Sequence, residues 1–157
     1  MSNEYCENKL IQGSAAKLLQ DTLGWEVVYA YNHEVLGANG TFGRKSYKEV
    51  LLPKYFAQAL KQLNSWITDK QIAEAKSILE AHLSTASLLE INEEKYKLIK
   101  DGVQVSVVNE RGEVDKKTAV LIDFDNAERN SFLAVQELKI SGTIHNRRTD
   151  IVGFVNG

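Results

Sequence analysis

The residues in this sequence best suited to chemistry on a phosphate cluster near its C-terminal end. His145, Arg147, Arg148 and Asp150 stand ahead of the apolar run Ile151-Val152-Gly153-Phe154-Val155, which closes on Asn156-Gly157. Alternation places Asp150, Val152 and Phe154 on one side of a strand, with Ile151 and Val155 on the other. Both sides are apolar, which predicts a central strand, and Asn-Gly predicts a two-residue hairpin turn after it. A carboxylate in such a strand costs several kcal/mol, to order of magnitude, unless a cation or hydrogen-bond donors meet it. Two readings follow for Asp150: an ion pair with Arg147 or Arg148 at the strand end, or a metal ligand at the edge of a sheet. His145, beside the two arginines, reads equally as a phosphate contact or as a satisfied loop histidine.

A second acid, Glu7, lies three and four residues before Leu10 and Ile11, which places it on their side of a helix. It is either an acid at the edge of the core or a first-turn glutamate favoured by the helix dipole, worth about 0.3–1 kcal/mol. Phosphodiester hydrolysis builds charge on the phosphate and on both the attacking and leaving oxygens. A hard divalent cation held by carboxylates offsets that charge and lowers the pKa of bound water. Asp150 and Glu7 are the acids whose local settings suit such a role.

Other chemistry is poorly supported. Cys6 is the sole cysteine, which excludes an internal disulfide and a cysteine-based zinc site, and suits a reducing cytoplasm. The histidines are scattered, and neither a Gly-x-Ser-x-Gly elbow nor His-Glu-x-x-His occurs. The stretch Gly37-Ala38-Asn39-Gly40-Thr41-Phe42-Gly43-Arg44-Lys45-Ser46 invites comparison with a phosphate-binding loop. It fails the spacing, because Arg44 separates the glycine from the lysine and no helix opens at once. It reads as a mobile surface loop. A net charge of -2 gives no global attraction to nucleic acid, so any DNA contact is local. No apolar run approaches membrane-spanning length.

These residues need elements to position them. The 157 residues predict one domain. Leu10, Ile11, Ala15, Leu18 and Leu23 predict an opening helix from Glu4 to Leu23, stopped by Gly24. Trp25 to Tyr31 reads as a strand. Pro53 opens a second helix carrying Tyr55, Phe56, Ala59, Leu60 and Leu63. Thr68 with Gln71 caps a third, whose stripe reaches Leu83, with His82 near its end as a surface residue. A fourth runs from Ser87 to Lys100. Val103 to Val107 then alternates as a strand, and the charged stretch through Lys117 reads as a solvated loop. Ala119 to Phe124 and Phe132 to Ile140 read as further strands. Helices first and strands last predict an α+β fold: a mixed, mostly antiparallel sheet with the opening helix packed on it and a helical insertion.

Taken in order, these segments resemble the N-terminal nuclease domain of the R (restriction) subunit of type I restriction-modification enzymes, HsdR. Glu7-Asn8-Lys9-Leu10 is similar to that family's opening helix, and Arg44-x-Ser46-Tyr47-x-Glu49-Val50-Leu51-Leu52 to the segment before its second helix. Leu121-Ile122-Asp123-Phe124-Asp125-Asn126, with Asn130, Phe132 and Val135, resembles its central strands. Asn146-Arg147-Arg148-x-Asp150-Ile151-Val152-x-Phe154-Val155-Asn156-Gly157 resembles its most diagnostic run.

The resemblance implies a PD-(D/E)xK nuclease core that cleaves double-stranded DNA with Mg²⁺. Asp150 would be its first metal-binding acid and Glu7 the helix-borne one, with Arg147, Arg148 and His145 near backbone phosphates. Thr149 stands where the family usually has proline. The family's Glu-x-Lys falls after the Asn-Gly turn, so the chain reads as truncated at that hairpin and is expected to be inactive alone. Complete subunits of the family also carry motor domains that use ATP to translocate DNA, and work with modification and specificity subunits. The alternative is a non-catalytic module that docks on the modification complex.

Overall fold

The computed structural model describes residues 11–81, 87–142 and 144–157. Glu7, the helix start expected at Glu4, and His82 and Leu83 lie outside the described residues. The architecture is α+β, with helices and mixed, mostly antiparallel pairing. The chain divides into two compact units. One holds the described residues up to Phe56 together with Ser131–Gly157, and the other Ala57–Asn130.

The first unit opens with α1 (Gly13–Leu23) and β1 (Glu26–Tyr29). Gly24 ends α1 in the left-handed conformation, φ 68°, its N–H donating to the Gln20 carbonyl while that of Trp25 donates to Leu19. The side of α1 turned inward is not the expected one. Ile11, Leu18 and Leu23 are exposed, whereas Gln12 and Ala16, one turn apart, are buried.

β4 (Phe132–Gln136) is the middle strand of a three-stranded sheet, parallel to β1 and antiparallel to β7 (Ile151–Val155). The register pairs Leu133 with Val27's neighbour Glu26 on one side and with Phe154 on the other. Sequence alternation expected β7 to be central. Among the described residues it is paired on one side only, and the strand covered on both faces is Phe-Leu-Ala-Val-Gln. Asn156 and Gly157 both have positive φ, 59° and 79°, the sign that both central positions of a type I′ turn require.

The single strand expected over Phe132–Ile140 is broken at Glu137, whose φ is 58°. Beyond the break, β5 (Lys139–Ser141) pairs antiparallel with β6 (Asn146–Arg148). The two arginines that stand ahead of β7 thus sit on a two-stranded ribbon. The core of this unit gathers Ala30, Phe42, Leu52, Leu133, Val135 and Leu138. Burying side chains of this size contributes roughly 1.5–3 kcal/mol each. Against it packs Tyr55, whose phenol is pushed well above its ordinary pKa by burial and by its hydrogen bond to Glu26.

The glycine-rich stretch is not a surface loop. Phe42 and Arg44 are fully buried. The Arg44 guanidinium donates to both carboxylate oxygens of Glu34, at 2.8 and 2.6 Å, and to the carbonyls of Glu49 and Lys139. A hydrophilic segment can be interior when one cation collects its acceptors in this way.

α2 (Pro53–Leu63) begins in the first unit and continues in the second, which also holds α3 (Asp69–Glu80), α4 (Leu88–Asp101), β2 (Val103–Val108) and β3 (Val114–Ala119). Pro53 opens α2, and Ser87 caps α4 by accepting from the Glu90 N–H. The charged stretch expected as a loop is β3, the hairpin partner of β2, and all but its last residue are exposed. Ala119–Phe124, expected as a strand, adds only Ala119 to a ladder. Its backbone is satisfied by side chains: Asn64 bonds both the N–H and the carbonyl of Val120, and Asn130 does the same for Asp123.

Candidate functional site

The backbone around Asp150 is set by the break at Glu137. The Glu137 N–H donates to the Asp150 carbonyl at 3.0 Å, and the Thr149 N–H to the Leu138 carbonyl at 3.0 Å. These bonds carry the chain from β6 into β7 and leave Asp150 in a bend just before Ile151. Its side chain is exposed. The expectation of a carboxylate within an oily strand is therefore corrected: the apolar run starts one residue later, and no burial cost demands a cation.

The partner of Asp150 is also not the one expected. Gln12, buried at the start of α1, donates from Nε2 to Oδ1 of Asp150 at 2.8 Å. A neutral amide thus occupies one carboxylate oxygen without cancelling the charge. Arg148 turns instead to Glu137, Nε to Oε2 at 3.0 Å, with its guanidinium 4.2 Å from the centre of the Tyr31 ring. Arg147 is exposed and makes no ion pair among the described residues. His145 is exposed in the turn before β6, its carbonyl accepting from the Gly142 N–H. The arginines and Asp150 are thus brought to one ribbon and the bend that leaves it.

Gln12 and Glu137 were not found by sequence reasoning. Nothing local marks a glutamine as the partner of an acid 138 positions away. Glu137 carried a weak signal, a charge interrupting the alternation of Phe132–Ile140.

Among the described residues, no group of three or more His, Cys, Asp or Glu side chains is placed to hold a metal ion. Among the described residues Asp150 has one oxygen without a hydrogen-bond partner, which is one donor toward a hard cation that takes six or more. The described donor set does not by itself form a magnesium site.

An amide at the start of the opening helix that bonds an acid at a strand mouth, beside a ribbon bearing two arginines, marks an α+β domain with a polar, partly basic edge. The chain belongs to the family described as type I restriction enzyme R protein N terminus, whose model matches residues 4–157. It is 31% identical over 153 residues to the type I restriction enzyme HindI endonuclease subunit of Haemophilus influenzae. It is 26% identical over 154 residues to a provisionally named type I restriction enzyme MjaIXP endonuclease subunit of Methanocaldococcus jannaschii. Each match covers 96% of this chain and 14% of the relative, so the chain spans about a seventh of the length of these curated relatives. No helix among the described residues is long and apolar enough to cross a membrane.

Proposed function

We propose that this chain supplies part of the DNA-cleaving site of a type I restriction R subunit, which cuts double-stranded DNA by Mg²⁺-dependent hydrolysis. The observation that carries the reading is Asp150, solvent-facing at the mouth of β7, with one oxygen held by Gln12 and the other without a hydrogen-bond partner among the described residues. Asp150 would be one metal ligand and Glu7 a second. The remaining donors, a Glu-x-Lys pair, would come from the segment that the family resemblance places after Asn156-Gly157. Magnesium, when bound, supplies Lewis acidity and an activated water. This chain's own residues hold the carboxylate in place and set cations near the phosphates: Arg147 and His145 face solvent, while Arg148 is steadied by Glu137 and Tyr31. ATP-driven translocation belongs to motor domains elsewhere in the subunit, which acts with modification and specificity subunits in the cytoplasm.

The test is Asp150→Ala in the intact subunit, assembled with its modification and specificity partners and given plasmid, Mg²⁺ and ATP. Cleavage should fall by a hundredfold or more while DNA-stimulated ATP hydrolysis continues. Undiminished cutting would overturn the assignment. It would favour the second reading, a non-catalytic docking module, which is supported by the lack, among the described residues, of any group of three or more side chains placed to hold a metal ion.

A further inference from the structure

We infer that the cleft beside the β5–β6 ribbon holds one nucleotide of an unpaired DNA strand, an inference that rests on the DNA reading above. The cleft encloses about 320 Å³ and is lined by Tyr31, Asn32, Tyr47, Lys139, Asn146 and Arg147, with Glu34, Glu137 and Arg148 completing its wall. Its charges are largely paired internally. Glu34 is neutralised by the buried Arg44, and Glu137 by Arg148. That leaves Lys139 and Arg147 as the cations facing a ligand, a local excess of positive charge in a chain whose net charge is negative. Both aromatic rings are held from one side by a cation, Arg148 over Tyr31 at 4.2 Å and Lys139 over Tyr47 at 4.5 Å.

A flat group with an attached anion fits this combination. The phosphate lies toward Lys139 and Arg147, while the base meets the tyrosines and the amides of Asn32 and Asn146. The volume is at the small end of the range for ligand pockets, about 300–1,000 Å³, room for one nucleotide and not for a stacked pair. A base in duplex DNA reaches such a cleft only by leaving its stack, whereas an unpaired strand offers its bases directly. The Glu137 N–H donates to the backbone carbonyl of Asp150, so the cleft adjoins the segment that carries the acid proposed to act on DNA, although that acid does not itself line it.

Fluorescence anisotropy of this 157-residue chain, with a labelled oligothymidine of about ten nucleotides and a duplex of equal length, tests the inference at low salt. The single strand should bind at least fivefold tighter than the duplex. Arg147→Glu and Lys139→Glu should each weaken single-strand binding tenfold or more, and Tyr31→Leu severalfold. Lys97→Glu on α4, the same change of charge in the other compact unit, should leave it unaltered. Duplex binding equal to or tighter than single-strand binding, and lost in Arg147→Glu, overturns the cleft assignment and leaves the DNA reading standing. Binding to neither probe also overturns it, and the cleavage assay on Asp150→Ala decides the DNA reading separately.

Discussion

Glu34→Gln is the sharpest probe of what holds the first unit together. The Arg44 side chain is completely buried and that of Glu34 nearly so, at 0% and 4% exposure. The substitution preserves shape and removes one charge, leaving a guanidinium in the interior with only neutral acceptors, the new amide oxygen and the carbonyls of Glu49 and Lys139, and with an amide N–H2 turned toward it. Breaking one side of a buried ion pair costs about 3–5 kcal/mol. For a chain of this size about 1 kcal/mol moves the midpoint of thermal unfolding by roughly 2–4 °C, so the expected fall is roughly 6–20 °C.

Urea unfolding followed by tryptophan fluorescence measures it. Trp25 reports on the first unit, and a Trp66→Phe background removes the signal of the second. The same argument predicts that Arg44→Met is also costly, and that the double variant recovers part of the loss because the stranded charge is gone. A coupling near zero between the two substitutions, or a loss below about 1 kcal/mol in Glu34→Gln, would refute the claim that this pair closes the loop onto the core.

In the second unit, Asn64→Ala removes an amide that bonds the carbonyls of Leu60 and Val120 and accepts from the Val120 N–H. With this side chain buried, urea unfolding should show a loss of about 2–3 kcal/mol, because two backbone groups lose their partner. Glu74 accepts from the N–H and hydroxyl of Ser106, at 3.0 and 2.9 Å, and these bonds hold its carboxyl below the usual range. A depressed folded pKa gives stability that is present above the ordinary glutamate value and is lost as pH falls through the folded one. Stability followed from pH 6 to pH 3 should therefore decline less in Glu74→Gln than in the parent chain.

The parts of the fold legible in the sequence are those fixed by local chemistry. Pro53 can open a helix but not continue one, Ser87 with Glu90 satisfies the first N–H groups of α4, and Val103–Val107 alternates without interruption. The parts that were hidden depend on partners distant in sequence. β3 is too charged to look like a strand, and its pairing is set by β2. Val120 and Asp123 find side-chain amides where a ladder was expected, and Arg44 finds Glu34 and two distant carbonyls. In α1 the pattern itself misled. Ile11 and Leu18 form a helical apolar stripe that faces solvent, while the buried side is Gln12 and Ala16.

The same contrast explains the candidate site. Composition identified Asp150 and its two arginines, but the proposed reason for the acid, relief of a burial penalty by a metal, does not hold for an exposed side chain. What the fold provides instead is orientation. One oxygen accepts from the Gln12 amide and the backbone carbonyl from the Glu137 N–H, so both the side chain and the main chain of Asp150 are held at one point. Preorganisation of this kind lowers the entropy cost of adding a ligand without neutralising the charge that attracts it. A guanidinium in the place of Gln12 would have fixed the carboxylate equally well and removed most of its attraction for a cation. Arg148 is within reach of the same bend by sequence, yet it pairs with Glu137, and the described partner of Asp150 is the neutral Gln12 amide.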